Sequence, residues 1–507
     1  MQGSNRRIAK NTLILYVRML FTMVLGLYTS RVVLNTLGVT DYGIYNVVGG
    51  IITLLGFINN SMSSASSRFL TYELGTGNIG RQKKVFGQSL FIHLLIAILV
   101  ALLGETIGLW FVYEKINIPT ERFFSAIVVY HVSVATAFFN IICVPYSALI
   151  IAHEKMKAFA YITILDAVLK LVILFVLMVL PYDKLIIYSI LLFIVQILIQ
   201  IIYISYSLNN FQESKNRFVW DRCLFREMFS FACWSMFGNL AVTLFSQGLN
   251  VLINIFFGPT VNAARGIAVQ VQGLVGRFIE NFQIALNPQI TKQYASGEII
   301  SMHRLIFMSS KYSFFLMMLL SLPLLINTDY VIRLWLKTVP EYTVIFVRIM
   351  LFISIMGTLS NPLIVSAQAT GRIRVYQQVV GGILLGILPV AYIFLKLGTP
   401  VYSVFIVHLI FTLIAHCARV YMIRPMIKLS IREYVHKVII KVFGVLVLSA
   451  TIFIPLSMLH EDVSFITFML DTLICIIVSL IAIFYIGMDK VEKEFLILKF
   501  KEVIRKF

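Results

Sequence analysis

Residues 11–50 read NTLILYVRMLFTMVLGLYTSRVVLNTLGVTDYGIYNVVGG. From Asn11 to Leu37 the chain is largely apolar, enough for one membrane crossing at roughly 20 residues per helix. A second apolar run begins at Gly43 and continues to about Leu70. Neither run is uniformly greasy. On the first, Asn11, Arg18, Thr22 and Thr29 fall within roughly 20° of one line at 100° per residue, while Arg31 points away. On the second, Asn46, Thr53, Asn60 and Ser67 recur at heptad spacing, with Gly49, Gly50, Ser64 and Arg68 beside them. The pattern predicts two spanning helices, each with a polar face.

The rest of the chain repeats this style. Of 507 residues, 59% are hydrophobic and 13% charged, with a mean hydropathy of +0.91; ordinary soluble proteins carry about a quarter charged residues. Roughly fourteen apolar blocks fit the chain at the length of a spanning helix. Little is left over, so a reading that needs a catalytic domain outside the membrane is poor. The basic start (Arg6, Arg7, Lys10) leads into the first block without a small-residue cleavage site, so that helix is expected to be retained. Cys143, Cys223, Cys233, Cys417 and Cys475 are scattered and form no CxxC or zinc-type pair, so neither disulfide, metal nor cofactor is expected. Gly75, Gly77 and Gly80 spell GxGxxG, but no strand precedes them and a helix follows a basic turn, so they read as a turn. There is no Walker A sequence, HExxH or nucleophile elbow.

Basic residues set the orientation. Arg81, Lys83 and Lys84, Lys155 and Lys157, Lys215 to Arg226, Lys292 and Arg304, Arg372 and Arg374, and Arg424 to Lys437 occupy alternate connections, on the same side as both termini. The opposite connections hold only about six basic residues, so the first side is expected to be cytoplasmic. Much of the formal charge of +19 is thus topological, and basic loops at an anionic lipid surface account for it without nucleic acid. Asp489 to Phe507 mixes Lys with apolar residues and reads as an interfacial amphipathic tail.

The chain also matches itself. A shift of 220 residues pairs Gly38 with Gly258, Thr40 with Thr260, Gly77 with Gly297 and Lys84 with Arg304; a shift of 217 pairs Pro145 with Pro362, Lys155 with Arg372 and Lys157 with Arg374. The expected organisation is an N-terminal six-helix lobe (1–208), a cytoplasmic linker (209–226), a second six-helix lobe (227–424), and helices thirteen and fourteen with the tail (425–507). Both repeats start on the same side, which predicts pseudo-symmetric lobes about an axis along the membrane normal, with a substrate path between them.

Charged side chains at the centre of a bilayer cost about 2.5–3.5 kcal/mol each on insertion scales, so they face partners or wet cavities. On the eighth helix Asn262, Arg265, Gln272, Gly276, Glu280, Gln283 and Asn287 share a face, with Arg277 at its shoulder. Helix-to-helix adhesion explains many such groups, the Ser61–Ser67 run in particular. Arg18, Arg265 and Arg277 exceed the acids near them, and an anionic substrate group would offset that excess. Asp166 and Lys170, at i and i+4, neutralise each other. Arg348 and Asp471 are single charges without a partner visible in the sequence. His93, His131, His408 and His416 read as packing residues before proton carriers. Glu280 lies within one turn of Arg277; either the two form a standing ion pair, or Glu280 exchanges a proton during transport.

The segments NTLILYVRML, LYTSRVVLNTLGVTDYGIYNVVGG, SSASSRFLTYELGTGN and FGPTVNAARGIAVQV resemble the polysaccharide-biosynthesis transporters of the multidrug/oligosaccharidyl-lipid/polysaccharide exporter superfamily, in particular O-antigen and capsule flippases. The resemblance implies an all-α, MATE-like integral membrane protein of about fourteen helices in the bacterial inner membrane. It implies translocation of an undecaprenyl-pyrophosphate-linked oligosaccharide of the lipopolysaccharide or capsule type to the periplasmic leaflet by ion-driven alternating access, alongside other glycan-assembly proteins. In related lipid II flippases, cationic residues on helices one, two and eight face a central cavity; Arg18, Arg68, Arg265 and Arg277 are the matching candidates. Asn60, Gln272, Thr22 and Thr53 are candidates for sugar hydroxyls, and Glu280 for coupling. A MATE-type cation-coupled drug or metabolite antiporter shares the fold, but the acidic cation-site pattern is missing apart from Asp41. A membrane-embedded polymerase would need a larger outer loop.

Overall fold

The computed structural model describes residues 2–115, 118–179, 181–215, 220–336, 339–457, 464–490, 492–494 and 497; within these, the side chains of 2–10, 50–58, 60 and some other positions lie outside the described residues. The described secondary structure is helical throughout. Helical hydrogen bonding runs from Gln2 to Thr76, but Gly38 (φ 80°, ψ 169°) divides it into α1 (2–37) and α2 (39–76). α3 (Ile79–Glu114), α4 (Thr120–Ala152), α5 (Met156–Val179) and α6 (Lys184–Asn210) follow. Arg222–Ala295 is divided in the same way by Gly258 (φ 80°, ψ −178°) into α7 (222–257) and α8 (259–295). Then come α9 (Ile299–Ile326), a short helix Thr328–Trp335, α10 (Thr343–Thr370), α11 (Arg374–Lys396), α12 (Ser403–Ile427), α13 (Ile431–Ile452) and α14 (Phe465–Gly487). Eleven described helices are long and apolar enough to span a membrane, Arg222–Ala295 counted as one and Gln2–Thr76 not included; dividing the former at Gly258 and adding α1 and α2 brings the number to fourteen.

The internal match is written into the backbone. Gly38 and Gly258, 220 residues apart, adopt the same extended conformation with positive φ, a region that is essentially open to glycine alone. Gly77 (φ 73°) and Gly297 (φ 78°) stand at the same separation, as do the first residues of α3 and α9. The 217-residue shift holds at the end of α4, where Glu154 (φ 57°) is the counterpart of Gly371 (φ 75°) after α10. Short polar side chains start the helices. Asn78 accepts from Arg81 N, Asp183 from Leu185 N and Ile186 N, and Asp221 from Cys223 N and Leu224 N, while Ser464 and Thr467 form a capping box.

Two compact units are formed, one of residues 1–240 and 284–298, the other of 241–283 and 299–507. In the first, Ile44, Val48, Val112, Val129 and Leu185 pack in one cluster and Leu15, Met156 and Ala285 in another. Beside the first cluster, Arg122 pairs with the buried Asp41 and with Asp183 at 2.7 Å, and Ser125 Oγ donates to Asp183 at 2.9 Å. Burial raises the Asp183 carboxyl, but Ser125, the Ile186 N–H and Arg122 together bring it below the ordinary aspartate value. Near Ala285 the buried Glu154 accepts from Lys292 Nζ at 2.9 Å and Gln289 Nε2 at 3.1 Å, and its backbone oxygen accepts from Asn11 Nδ2 at 3.4 Å. Asp166 and Lys170 pair at 2.7 Å.

In the second unit α9 is the most enclosed span, with 72% of its apolar window buried against 28% for α14. That enclosure permits an ion cluster: Lys311, whose side chain is 2% exposed, donates to Asp489 at 3.1 Å and Glu492 at 2.9 Å, and Lys441 also pairs with Asp489. Burial pushes the Asp489 carboxyl up, but hydrogen bonds from Lys441 and Lys311 outweigh it and hold the group below its usual range. The expected amphipathic tail lies mostly outside the described residues; Asp489 and Glu492 are its anchored beginning.

Candidate functional site

A cavity of about 380 Å³ opens within the second unit, among α7, α8, α10, α11 and α12. Helical periodicity delivers its polar lining. Arg265, Val269 and Gln272 fall within roughly 60° of arc on α8, and His408, Thr412 and Arg419 within roughly 40° on α12, at 100° per residue. α7 contributes Phe245 and Ser246, and α10 contributes Ser354 and Ser360. Val242, Leu249, Ile353, Leu384 and Phe405 complete the apolar wall.

Both arginines are deeply placed, with Arg265 4% and Arg419 8% exposed. Arg265 donates from Nη1 to the Asn250 amide oxygen and from Nη2 to the Ser246 backbone oxygen at 2.8 Å. Arg419 Nη1 donates to Ser360 Oγ at 3.3 Å, and Ser360 Oγ lies 3.2 Å from His416 Nδ1. All these partners of the guanidiniums are neutral. No lining residue is an Asp or Glu, and the Nε atoms of both arginines have no hydrogen-bond partner among the described residues. Gln272 Nε2 donates to Ser354 Oγ at 2.6 Å, and the His408 ring stands edge-on to Phe245 at 5.0 Å. Such a lining suits an anion with several oxygens. Among the described residues no group of three His, Cys, Asp or Glu could hold a metal ion.

The structure brings Arg265 and Gln272 together in the lining of this cavity; Arg18, Thr22, Arg68, Arg277 and Glu280 are not among its lining residues. Arg18 lies over the Phe159 ring at 4.9 Å, and Thr22 Oγ1 donates to its own helix at Met19 O. Arg68 is buried against the rings of Phe69, Tyr72 and Phe231. Arg277 and Glu280 are exposed on α8. Gln283 donates to Ser313 Oγ at 3.2 Å. The side chains of Thr53 and Asn60 lie outside the described residues. His93 is buried with Nδ1 2.8 Å from Ser89 O, His131 meets Glu105 at 2.9 Å, and Arg348 Nε donates to Leu325 O at 3.0 Å. Sequence reasoning missed Arg419, Lys311 and Glu154. Arg419 carried a signal, the recurrence of His408, Thr412 and Arg419 on one face of the twelfth block.

The family model for polysaccharide biosynthesis protein matches residues 8–293. The chain belongs to this family. This polysaccharide biosynthesis family member is a multi-pass membrane protein with the fold of the MATE transporters: a crystal structure of a MATE point mutant superposes with a TM-score of 0.73 at 13% identity, over 84% of this chain and 96% of that one. A MATE structure in the bent conformation gives 0.72 at 14% identity over the same shares. A MOP superfamily transporter from Pyrococcus furiosus, described as having a binding pocket of reverse polarity that suggests a different function, gives 0.70 at 14%, again over 84% and 96%. No curated protein sequence gives a significant match.

Proposed function

We propose that this family member is a flippase, not an enzyme, carrying undecaprenyl-pyrophosphate-linked oligosaccharide from the cytoplasmic to the periplasmic leaflet of the bacterial inner membrane. The observation that carries the reading is a cavity lined by two buried guanidiniums, neutral hydrogen-bonding groups and no carboxylate, in a chain of the polysaccharide biosynthesis family. A lipid-linked sugar can leave its polyprenyl tail in the bilayer, whereas its pyrophosphate and hydrated glycan need a polar route. Arg18, Arg68, Arg265 and Arg277 serve the phosphates in this proposal; Asn60, Gln272, Thr22 and Thr53 serve the sugar, and Glu280 is the coupling candidate. Alternating access by lobes 1–208 and 227–424, joined by the 209–226 linker, would carry the substrate across, the bends at Gly38 and Gly258 giving places to flex, and both termini stay in the cytoplasm. O-antigen or capsule precursors are the substrate class, with membrane lipid and other glycan-assembly proteins as partners. The drug-antiporter reading has less support, since the acid near α1, Asp41, is engaged by Arg122.

In a strain lacking the gene, Arg18→Ala, Arg265→Ala and Arg277→Ala should each lower surface glycan about tenfold or more at unchanged membrane abundance, the scale of one lost charge-assisted hydrogen bond. The Lys replacements should be milder, since they keep charge but lose the bidentate fork. Full glycan display by all three Ala variants would defeat the assignment.

A further inference from the structure

We propose that the cavity of the second unit is a binding site for a compact phosphate-type oxyanion, held between Arg265 on α8 and Arg419 on α12. The argument begins with charge. A guanidinium stays protonated in a protein, and a buried cation without a counter-charge costs several kcal/mol even after relaxation. The cavity wall holds two of them, 4% and 8% exposed, and no acidic side chain. Asn250, Ser246 and Ser360 accept hydrogen bonds from them but carry no negative charge. A bound anion supplies what the wall omits.

Geometry narrows the class. Each guanidinium has five N–H groups in a planar fork; Asn250 and Ser246 take two from Arg265 and Ser360 takes one from Arg419, so further Nη N–H groups of both remain for a ligand, while the Nε atoms are sealed from it. The Ser354 and Thr412 hydroxyls donate to Met350 O and His408 O on their own helices, so the donors left for a ligand are guanidinium N–H groups, with the His408 ring beside them. Several donors converging on one small space match an oxyanion with three or four oxygens better than a halide. The volume of about 380 Å³ lies at the low end of small-molecule sites, about 300–1,000 Å³, which admits a phosphate or pyrophosphate group and excludes a whole oligosaccharide. Two sources share this chemistry: the headgroup of a lipid-linked pyrophosphate, and free inorganic phosphate. With the first source the inference deepens the flippase reading and rests on it; with the second it stands apart.

The test is titration of the purified full-length protein in phosphatidylcholine nanodiscs with inorganic phosphate, pyrophosphate, undecaprenyl pyrophosphate incorporated in the disc, and glucuronate, followed by calorimetry and thermal shift. Saturable binding of a free phosphate assigns the soluble source, and binding of undecaprenyl pyrophosphate alone assigns the headgroup; either supports the site provided Arg265→Gln and Arg419→Gln each weaken binding about tenfold or more. Absence of binding by all three phosphates, binding unchanged in both Gln variants, or tighter binding of glucuronate would overturn it. If a Gln variant does not yield monodisperse protein, Arg419→Lys decides, because retained charge without the fork should give intermediate affinity and wild-type affinity would count against the site. Undecaprenyl pyrophosphate binding that is weakened by Arg18→Ala and Arg277→Ala but unchanged in Arg265→Gln and Arg419→Gln would remove this site and leave the flippase reading standing.

Discussion

Glu154 occupies a left-handed backbone position (φ 57°) that its counterpart in the second repeat, Gly371, fills without a side chain. For an L-residue with a β-carbon that conformation costs of order 1–2 kcal/mol, so something must offset it. The offset is the carboxylate, 1% exposed and held by Lys292 and Gln289. Lys292→Met should therefore destabilise the protein by roughly 1–3 kcal/mol, because it removes the cation from a buried carboxylate. Glu154→Gly should cost less, since glycine relieves the backbone. The double variant should lose less than the sum of the two, as read from thermal unfolding in a double-mutant cycle; strictly additive losses would show the pair to be uncoupled. None of this was legible in the sequence, where Glu154 stands in a basic turn, 138 residues from Lys292. Arg265 was legible because it shares one helical face with Asn262, Gln272, Glu280, Gln283 and Asn287. Its neutral partner Asn250 was not, since a hydrogen bond across 15 residues leaves no periodic trace.

At the scale of elements, the glycine pair Gly38 and Gly258 breaks each long helix at equivalent places. A β-carbon at Gly258 would meet nothing within 4 Å, so crowding is no obstacle; the obstacle is the backbone angle. Gly258→Ala should cost roughly 1–3 kcal/mol. Gly266→Ala, on a regular helical turn with equally open surroundings, should be neutral or stabilising by up to about 1 kcal/mol. Melting temperatures of the two variants check this, and equal behaviour would mean that the bend at Gly258 is unstrained for alanine. The spacing of these glycines makes the repeat legible in the sequence, because a turn that needs positive φ constrains residue type sharply. Arg419 and Lys311 escaped notice for the opposite reason: one basic residue in an apolar block looks the same whether it lines a cavity, pairs with distant acids or reaches toward a headgroup.

Across the whole molecule, the apolar blocks specified the helices nearly completely, since the bilayer demands length and hydrophobicity from each span, whereas the content of a cavity depends on which faces meet. The basic asymmetry of the connections predicts that a fluorescent protein fused after the last residue will mature in the cytoplasm, while alkaline phosphatase at the same place stays inactive; an active phosphatase fusion would invert the topology. The buried cluster around Lys311 bears on how the chain is made. Lys311 precedes Asp489 by 178 residues, so at about 5–20 residues per second the ribosome needs roughly 10–35 s after synthesising the ammonium before it supplies the first carboxylate. Through that interval α9 awaits its counter-charge, and a nascent chain released before Asp489 never receives it. Completion of the last helix is thereby registered inside the second unit, and premature termination before Asp489 leaves the Lys311 ammonium without the carboxylates that pair with it in the finished protein.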